Sequence, residues 1–200
     1  MRTWLVFTVA AVLFAAPALA DTWTEEGDAT DLPPGQTTMG TNPLEAIYGY
    51  LDPDDADMFC VYVEDPSTFS ATTCGMTYDT QLFLFDADGI GMSMNDDDPG
   101  GCGLQSTVTG AFLPGPGNYL VAIASYDWDP AGANGDIWED SPYGQERAPD
   151  GPGAPGPVIG WGGTGFNDGD YTILLTGAGF CDEPTATEET SWGQVKALFR

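Results

Sequence analysis

Residues 79–98, DTQLFLFDADGIGMSMNDDD, read as a β-hairpin. An apolar run, Leu82, Phe83, Leu84 and Phe85, enters the turn Asp86-Ala87-Asp88-Gly89, and residues 90–94 leave it towards Asn95, Asp96, Asp97 and Asp98. Gly89 supplies the positive φ such a turn requires, and the two aspartates suit it by accepting hydrogen bonds from their own backbone. If Phe85 pairs with Ile90, antiparallel counting sets Asp79 opposite Asp96. The open end of the hairpin then gathers acids. Two carboxylates about 5 Å apart repel by about 3 kcal/mol at an effective dielectric of 20. In an exported chain calcium is the natural relief, because it takes carboxylate, amide and backbone oxygens. The candidate metal ligands are therefore Asp79, Asn95, Asp96, Asp97 and Asp98. Asp86 and Asp88 cannot share that ion, since about seven residues of strand, over ~20 Å, separate the two ends. The pattern is not an EF-hand: glycine comes fourth from Asp86 instead of sixth, and Asp97 stands where that loop has glutamate.

On either side of the hairpin the apolar residues keep a period of two. In residues 58–63, Phe59, Val61 and Val63 share one face, and Met58, Cys60 and Tyr62 the other. In residues 119–125, Tyr119, Val121 and Ile123 alternate with Leu120, Ala122 and Ala124, whose small size implies that both faces are covered. Further strands are predicted over 47–51, 69–73, 106–113 and 170–176, with Tyr171, Ile173 and Leu175 facing inward. Many short alternating strands with Gly/Pro turns, and no helical pattern before residue 190, predict an all-β, antiparallel β-sandwich. Residues 127–169 predict a long Gly/Pro-rich loop, and residues 21–44 an extended, partly mobile lead-in. Residues 182–191 read as a polar linker. Residues 192–200, WGQVKALFR, read as a short C-terminal helix capped by Thr190 or Ser191. The tail is either a sorting or retention tag or an amphipathic helix docked on the sandwich.

Residues 1–20 have the form of a secretory signal peptide. Arg2 precedes an apolar run over 4–16, and Ala18-Leu19-Ala20 is a small-x-small cleavage site. The run is shorter than the roughly 20 residues a bilayer needs, and no later segment is expected to span a membrane. All 31 acids lie after residue 20, where only Arg147, Lys196 and Arg200 oppose them. The chain beyond the signal thus carries a formal charge of −28, against −27 for the whole. Such acidity excludes nucleic acid and anionic membrane surfaces as direct partners. The absence of histidine excludes Ser-His-Asp and Cys-His catalysis and histidine-ligated zinc. Four cysteines in an exported chain predict two disulfides with three connectivities. The pairing adopted is Cys60–Cys181, joining the first and last core strands, and Cys74–Cys102, bracketing the hairpin.

Five motifs, in order, resemble the bacterial pre-peptidase C-terminal domain. They are Asp-x-Asp-x-Phe at Asp55, Asp57 and Phe59, Asp-Thr-x-Leu-x-Leu-Phe-Asp over 79–86, and Asn-Asp-Asp over 95–97. Pro-Gly-x-Tyr over 116–119 and the Gly-x-Tyr-x-Leu-like strand over 169–175 complete them. The resemblance covers roughly residues 45–181. It implies a jelly-roll-like sandwich that serves as an accessory module beside secreted enzymes, some members binding calcium or polymers such as collagen. This chain departs from that pattern in having no peptidase attached and in the length of the 127–169 segment.

Two further acidic groups stand out. Asp52, Asp54, Asp55 and Asp57 form either a second metal site or ordinary turn chemistry. Asp127, Asp129, Asp136, Glu139 and Asp140 lie among tryptophans, so Asp127, Trp128, Asp129 and Trp138 make a candidate ligand surface, where rings stack on sugar CH groups and acids accept hydroxyl protons. The competing reading is that the aromatics pin the loop to the core. These observations point to a secreted or cell-surface, non-catalytic binding or structural module, stabilised by calcium, with an extracellular polymer or cell-surface component as partner. The alternative is a carbohydrate-active hydrolase using two carboxylates about 5 or 9 Å apart. With so many acids, some pair meets that spacing by chance.

Overall fold

The computed structural model describes residues 20–181. The expectations for the signal (Ala20 apart), the 182–191 linker and the 192–200 helix lie outside the described residues. Eight strands make the frame: β3 (Leu44–Leu51), β4 (Ala56–Val63), β5 (Ser70–Thr72), β6 (Thr80–Asp86), β7 (Gly91–Asn95), β8 (Thr107–Thr109), β9 (Gly117–Ser125) and β13 (Gly169–Thr176). They pair in nested antiparallel couples, β3 with β13, β4 with β9, β5 with β8, and β6 with β7. β13 also joins β5, and β9 joins β6, which closes two four-stranded sheets. Nested couples shared between two sheets are the winding of a jelly roll. The fold is an all-β sandwich, as the alternating strands predict. Among the described residues the helical content is two single 3-10 turns, Pro66–Thr68 and Gly110–Phe112.

The stretch expected as a mobile lead-in is extended but built into both sheets. Its β1 (Asp21–Thr24) runs parallel to β3, and its β2 (Gln36–Thr37) runs parallel to β4, so neither sheet is purely antiparallel. Trp23 is buried and donates from Nε1 to Gln36 Oε1 at 2.9 Å, tying the two strands together. The composition of 21–44 hid this, because each strand is too short for a periodic signal. At the other end β14 (Ala178–Phe180) adds to β4.

Between the sheets lies the main core, with Ile47, Phe59, Val61, Leu82, Leu84, Val121, Ile123, Tyr171 and Ile173. The second sheet also carries apolar side chains on its outer face, including Met58, Phe83, Phe85, Met94, Leu120 and Ala122. Residues 127–163 cover that face. They were predicted as a loop, but they contain β10 (Trp128–Gly132), β11 (Gly135–Asp136) and β12 (Gly160–Gly163), a small antiparallel sheet of their own. From this lid Ile137, Trp138, Val158 and Trp161 reach down to the sheet. Both cysteine pairs are disulfide bonded, Cys60–Cys181 and Cys74–Cys102.

The central hairpin forms where predicted. Asp86 Oδ1 accepts from the backbone N–H of Asp88 and of Ile90, both at 2.9 Å, and Gly89 has φ +83°. Its register differs from simple counting. The turn sets Phe85 opposite Gly91, and a bulge between Leu84 and Phe85 shifts the rest by one more, which puts Leu82 opposite Asn95. A bulge changes strand register by an extra residue, which sequence counting has no means to see.

Candidate metal centre

β6 places even-numbered residues in the main core and odd-numbered ones on the outer face, so Asp79 and Gln81 continue the row of Phe83 and Phe85. Past Asn95 the ladder ends, and here Asp79, Asp96 and Asp97 come together. One oxygen from each lies within 4.8 Å of the others. Twice a calcium–oxygen distance of about 2.4 Å is about 4.8 Å, so the spacing fits oxygens around one ion. Asp96 is 3% exposed, and one oxygen of each of the three acids is buried without a hydrogen bond. Burial, then the charges of Asp97 and Asp79, raises Asp96 to about 7. Burial and then Asp97 raise Asp79 to about 6.

Asn95 and Asp98 do not join this group. The Asn95 amide donates to Asp97 O at 2.7 Å, and its Oδ1 accepts from Thr107 N at 2.8 Å, so it fastens β7 to β8. Asp98 organises the next turn, its carbonyl accepting from Gly101, Cys102 and Gly103. Its carboxylate approaches Cys74 and Cys102, whose sulfurs are committed to their disulfide and cannot ligate a metal. The observed register sets Asn95 opposite Leu82, deeper in the ladder than counting puts it, and the turn that Asp98 organises holds Asp98 apart from the group.

A second group was only half legible. Asp57 follows the alternation of Phe59 and Val61 and is therefore carried inside the sandwich. It is 0% exposed, and neither carboxylate oxygen has a hydrogen bond. The Tyr171 hydroxyl lies beside it without closing a bond of good geometry, and it too is buried and unpaired. Around Asp57 stand Glu25 and Asp28, with one oxygen of each within 4.8 Å of the others. Burial pushes Asp57 up to about 8, with Glu25, Asp55 and Asp28 adding to the rise. Asp52, Asp54 and Asp55 are not part of this triad. Asp54, for instance, accepts from Gly165 N at 2.8 Å. Glu25 is aimed by its own bonds, accepting from Ala29 N at 2.8 Å and from Tyr50 N at 2.9 Å. Gly49 leaves the room, for a Cβ there would lie 2.2 Å from the Tyr171 hydroxyl and 2.5 Å from Glu25 Oε2. The sequence does not point to Glu25 and Asp28 because they lie just after β1, a strand distant in sequence from β4 and paired in parallel with β3. The run Glu25-Glu26-Gly27-Asp28 was the available signal.

Among the described residues no basic side chain forms an ion pair with either triad, and Arg147 offsets the rise at Asp96 only as the weakest of its influences. Arg147 is the single Lys or Arg of residues 20–181, and it is spent in a bidentate bond to Asp150, 2.6 and 2.5 Å from its oxygens.

Of the candidate ligand surface of Asp127, Trp128, Asp129 and Trp138, the structure leaves the first three half-buried and takes Trp138 into the core. Trp138 is 3% exposed and packs on Phe83 and Phe85, at centroid distances of 5.5 and 5.7 Å. Trp128 is half-buried against the same cluster. The aromatics pin the lid down because the outer face of the second sheet is too apolar to leave wet. Asp129 instead turns to Gln81, accepting from its Nε2 at 3.1 Å, and burial lifts it to about 6. Beside Asp96 and Asp129 lies a cavity of about 40 Å³. That is far below the roughly 300 Å³ where small-molecule sites begin.

Comparison with protein-family models, with curated proteins and with solved structures gave no match. The functional reading therefore rests on the geometry of these groups. No helix among the described residues is long and apolar enough to cross a membrane.

Proposed function

We propose that this chain is a secreted or cell-surface, non-catalytic binding or structural module of the pre-peptidase C-terminal kind, whose sandwich is stabilised by calcium. The observation that carries this reading is Asp57. A carboxylate wholly inside the protein, with no hydrogen bond and no basic neighbour, costs several kcal/mol if charged. Calcium between Asp57, Glu25 and Asp28 removes that cost and fastens β1 and its loop to β4. The Asp79, Asp96 and Asp97 group offers the same chemistry at the open end of the hairpin. Two disulfides and the acidic surface suit an oxidising, extracellular setting. The role is passive: the ion holds the loops, and the sandwich presents its surface to an extracellular polymer or cell-surface component.

Thermal unfolding with calcium and with chelator tests this. Ligation to the folded state raises the midpoint with calcium concentration, by about 2.7 kcal/mol of stability at a hundredfold excess over Kd. Identical midpoints in calcium and in chelator overturn the reading.

A further inference from the structure

The outer face of the second sheet is not uniform. Around Phe83 and Phe85 its contact with the lid is dry, but at the open end of the hairpin the same row of side chains becomes Gln81 and Asp79. There the lid answers with Asp129, Asp140 and Tyr143 instead of tryptophans, and the small cavity lies between the two layers. Gln81 is 4% exposed. Its Nε2 is held by Asp129, which fixes the amide, yet its Oε1 is buried and accepts nothing. One oxygen of Asp96 is in the same condition. A neutral amide oxygen left bare beside the buried carboxylate of Asp96 and the half-buried one of Asp129 is a donor set for a hard cation, not for a proton donor of the protein. The volume leaves room for an ion with one or two waters and for nothing organic.

We propose that a divalent, oxygen-seeking cation of the calcium type binds between Gln81 Oε1, Asp96 and Asp129, and that this ion locks the 127–163 lid onto the second sheet. Two of the ligands come from the sheet and one from the lid, so lid and sheet must be docked for the site to exist. Asp127 and Asp140 stand at its rim and add negative potential without being required as ligands. Asp96 is common to this site and to the Asp79 and Asp97 group, so the two are neighbours. The inference rests on the calcium reading above and adds a third position to it, with a defined mechanical effect.

Two measurements on the full secreted chain, in calcium and in chelator, test it. Calorimetric titration counts ions for wild type and for Gln81→Met and Asp129→Asn, which remove a ligand from opposite layers. Each variant loses one ion relative to wild type. Hydrogen exchange follows the amides of residues 128–163, and calcium slows them at least tenfold in wild type and equally in Asp57→Asn, in which the distant triad is broken. An unchanged ion count in both Gln81→Met and Asp129→Asn overturns the lid site while leaving the functional reading standing. So does lid exchange indifferent to calcium in wild type and in Asp57→Asn, a result that needs neither ligand variant to fold. If wild type binds no calcium at all, both readings fall together.

Discussion

The two sheets share one core but have opposite outer faces. On the first sheet β3 and β13 alternate buried and open positions, and Tyr48, Tyr50 and Leu174 stand exposed. On the second, β4, β6 and β9 are buried almost throughout, and a 37-residue segment with its own small sheet lies across them. Both sheets obey the same period of two. They differ in what the second row of side chains needs. A row of Phe83, Phe85, Met94 and Leu120 requires a cover, whereas Thr172, Ser70 and Thr72 tolerate water. The cover in turn demands small residues beneath it: a Cβ on Gly91 would lie 2.7 Å from the Trp138 ring and 2.9 Å from Ile137 Cγ2.

The contrast is sharpest at Phe83, which packs against Phe85, Trp138 and Trp161 under the lid. Phe83→Ala is expected to cost about 4 kcal/mol in urea unfolding, as buried Phe truncations do. A loss below ~1 kcal/mol would show that the lid does not close on the sheet. Next comes pH, which separates the acidic margins of the sandwich from its apolar faces. Asp57 has its folded pKa raised to about 8 and Asp96 to about 7, well above the ordinary carboxylate value near 4. The folded state therefore binds protons more tightly than the unfolded one. In chelator, stability is fully present near pH 4 and is lost as pH rises towards 8, by about 2 kcal/mol after allowing for water near these groups. Calcium abolishes the slope, and Asp57→Asn flattens part of it in chelator; a chelated protein equally stable at pH 5 and pH 8 would refute the buried-charge account.

Gly91→Ala, a single methyl under Trp138, is expected to cost about 1–3 kcal/mol and to shift tryptophan fluorescence as the ring is displaced. An unchanged spectrum would mean that Trp138 does not sit on β7. The smallest effect belongs to the open face. Tyr48→Ala on β3 should change stability by less than about 1 kcal/mol, because its ring is already in water. A loss matching that of Phe83→Ala would erase the difference between the two faces.

Many of the strand positions are legible because inward residues repeat every second position in 58–63, 119–125 and 170–176, and because the apolar run 82–85 leads into a recognisable turn. The small Ala122 and Ala124 even signalled that the second sheet is covered on both sides. What covers it was not legible, since residues 127–163 hold their place through scattered single anchors such as Trp138, Val158 and Trp161, which have no period. The site was read in part. Asp79, Asp96 and Asp97 converge, but by a route that bypasses the register that suggested them. Asn95 and Asp98 drop out, Trp138 turns inward, and Glu25 and Asp28 enter from the segment after a strand that the composition concealed.

Local alternation, turn chemistry at Asp86 and Gly89, and the count of acids were determined by the sequence alone, because each depends on neighbours a few residues apart. Which acids share a site was decided only by the tertiary structure. The course of the chain past the end of the hairpin ladder and the parallel pairing of β1 with β3 choose the partners of Asp79 and Asp57. Electrostatic energy depends on distances of a few ångströms, and those distances exist only once the strands have packed.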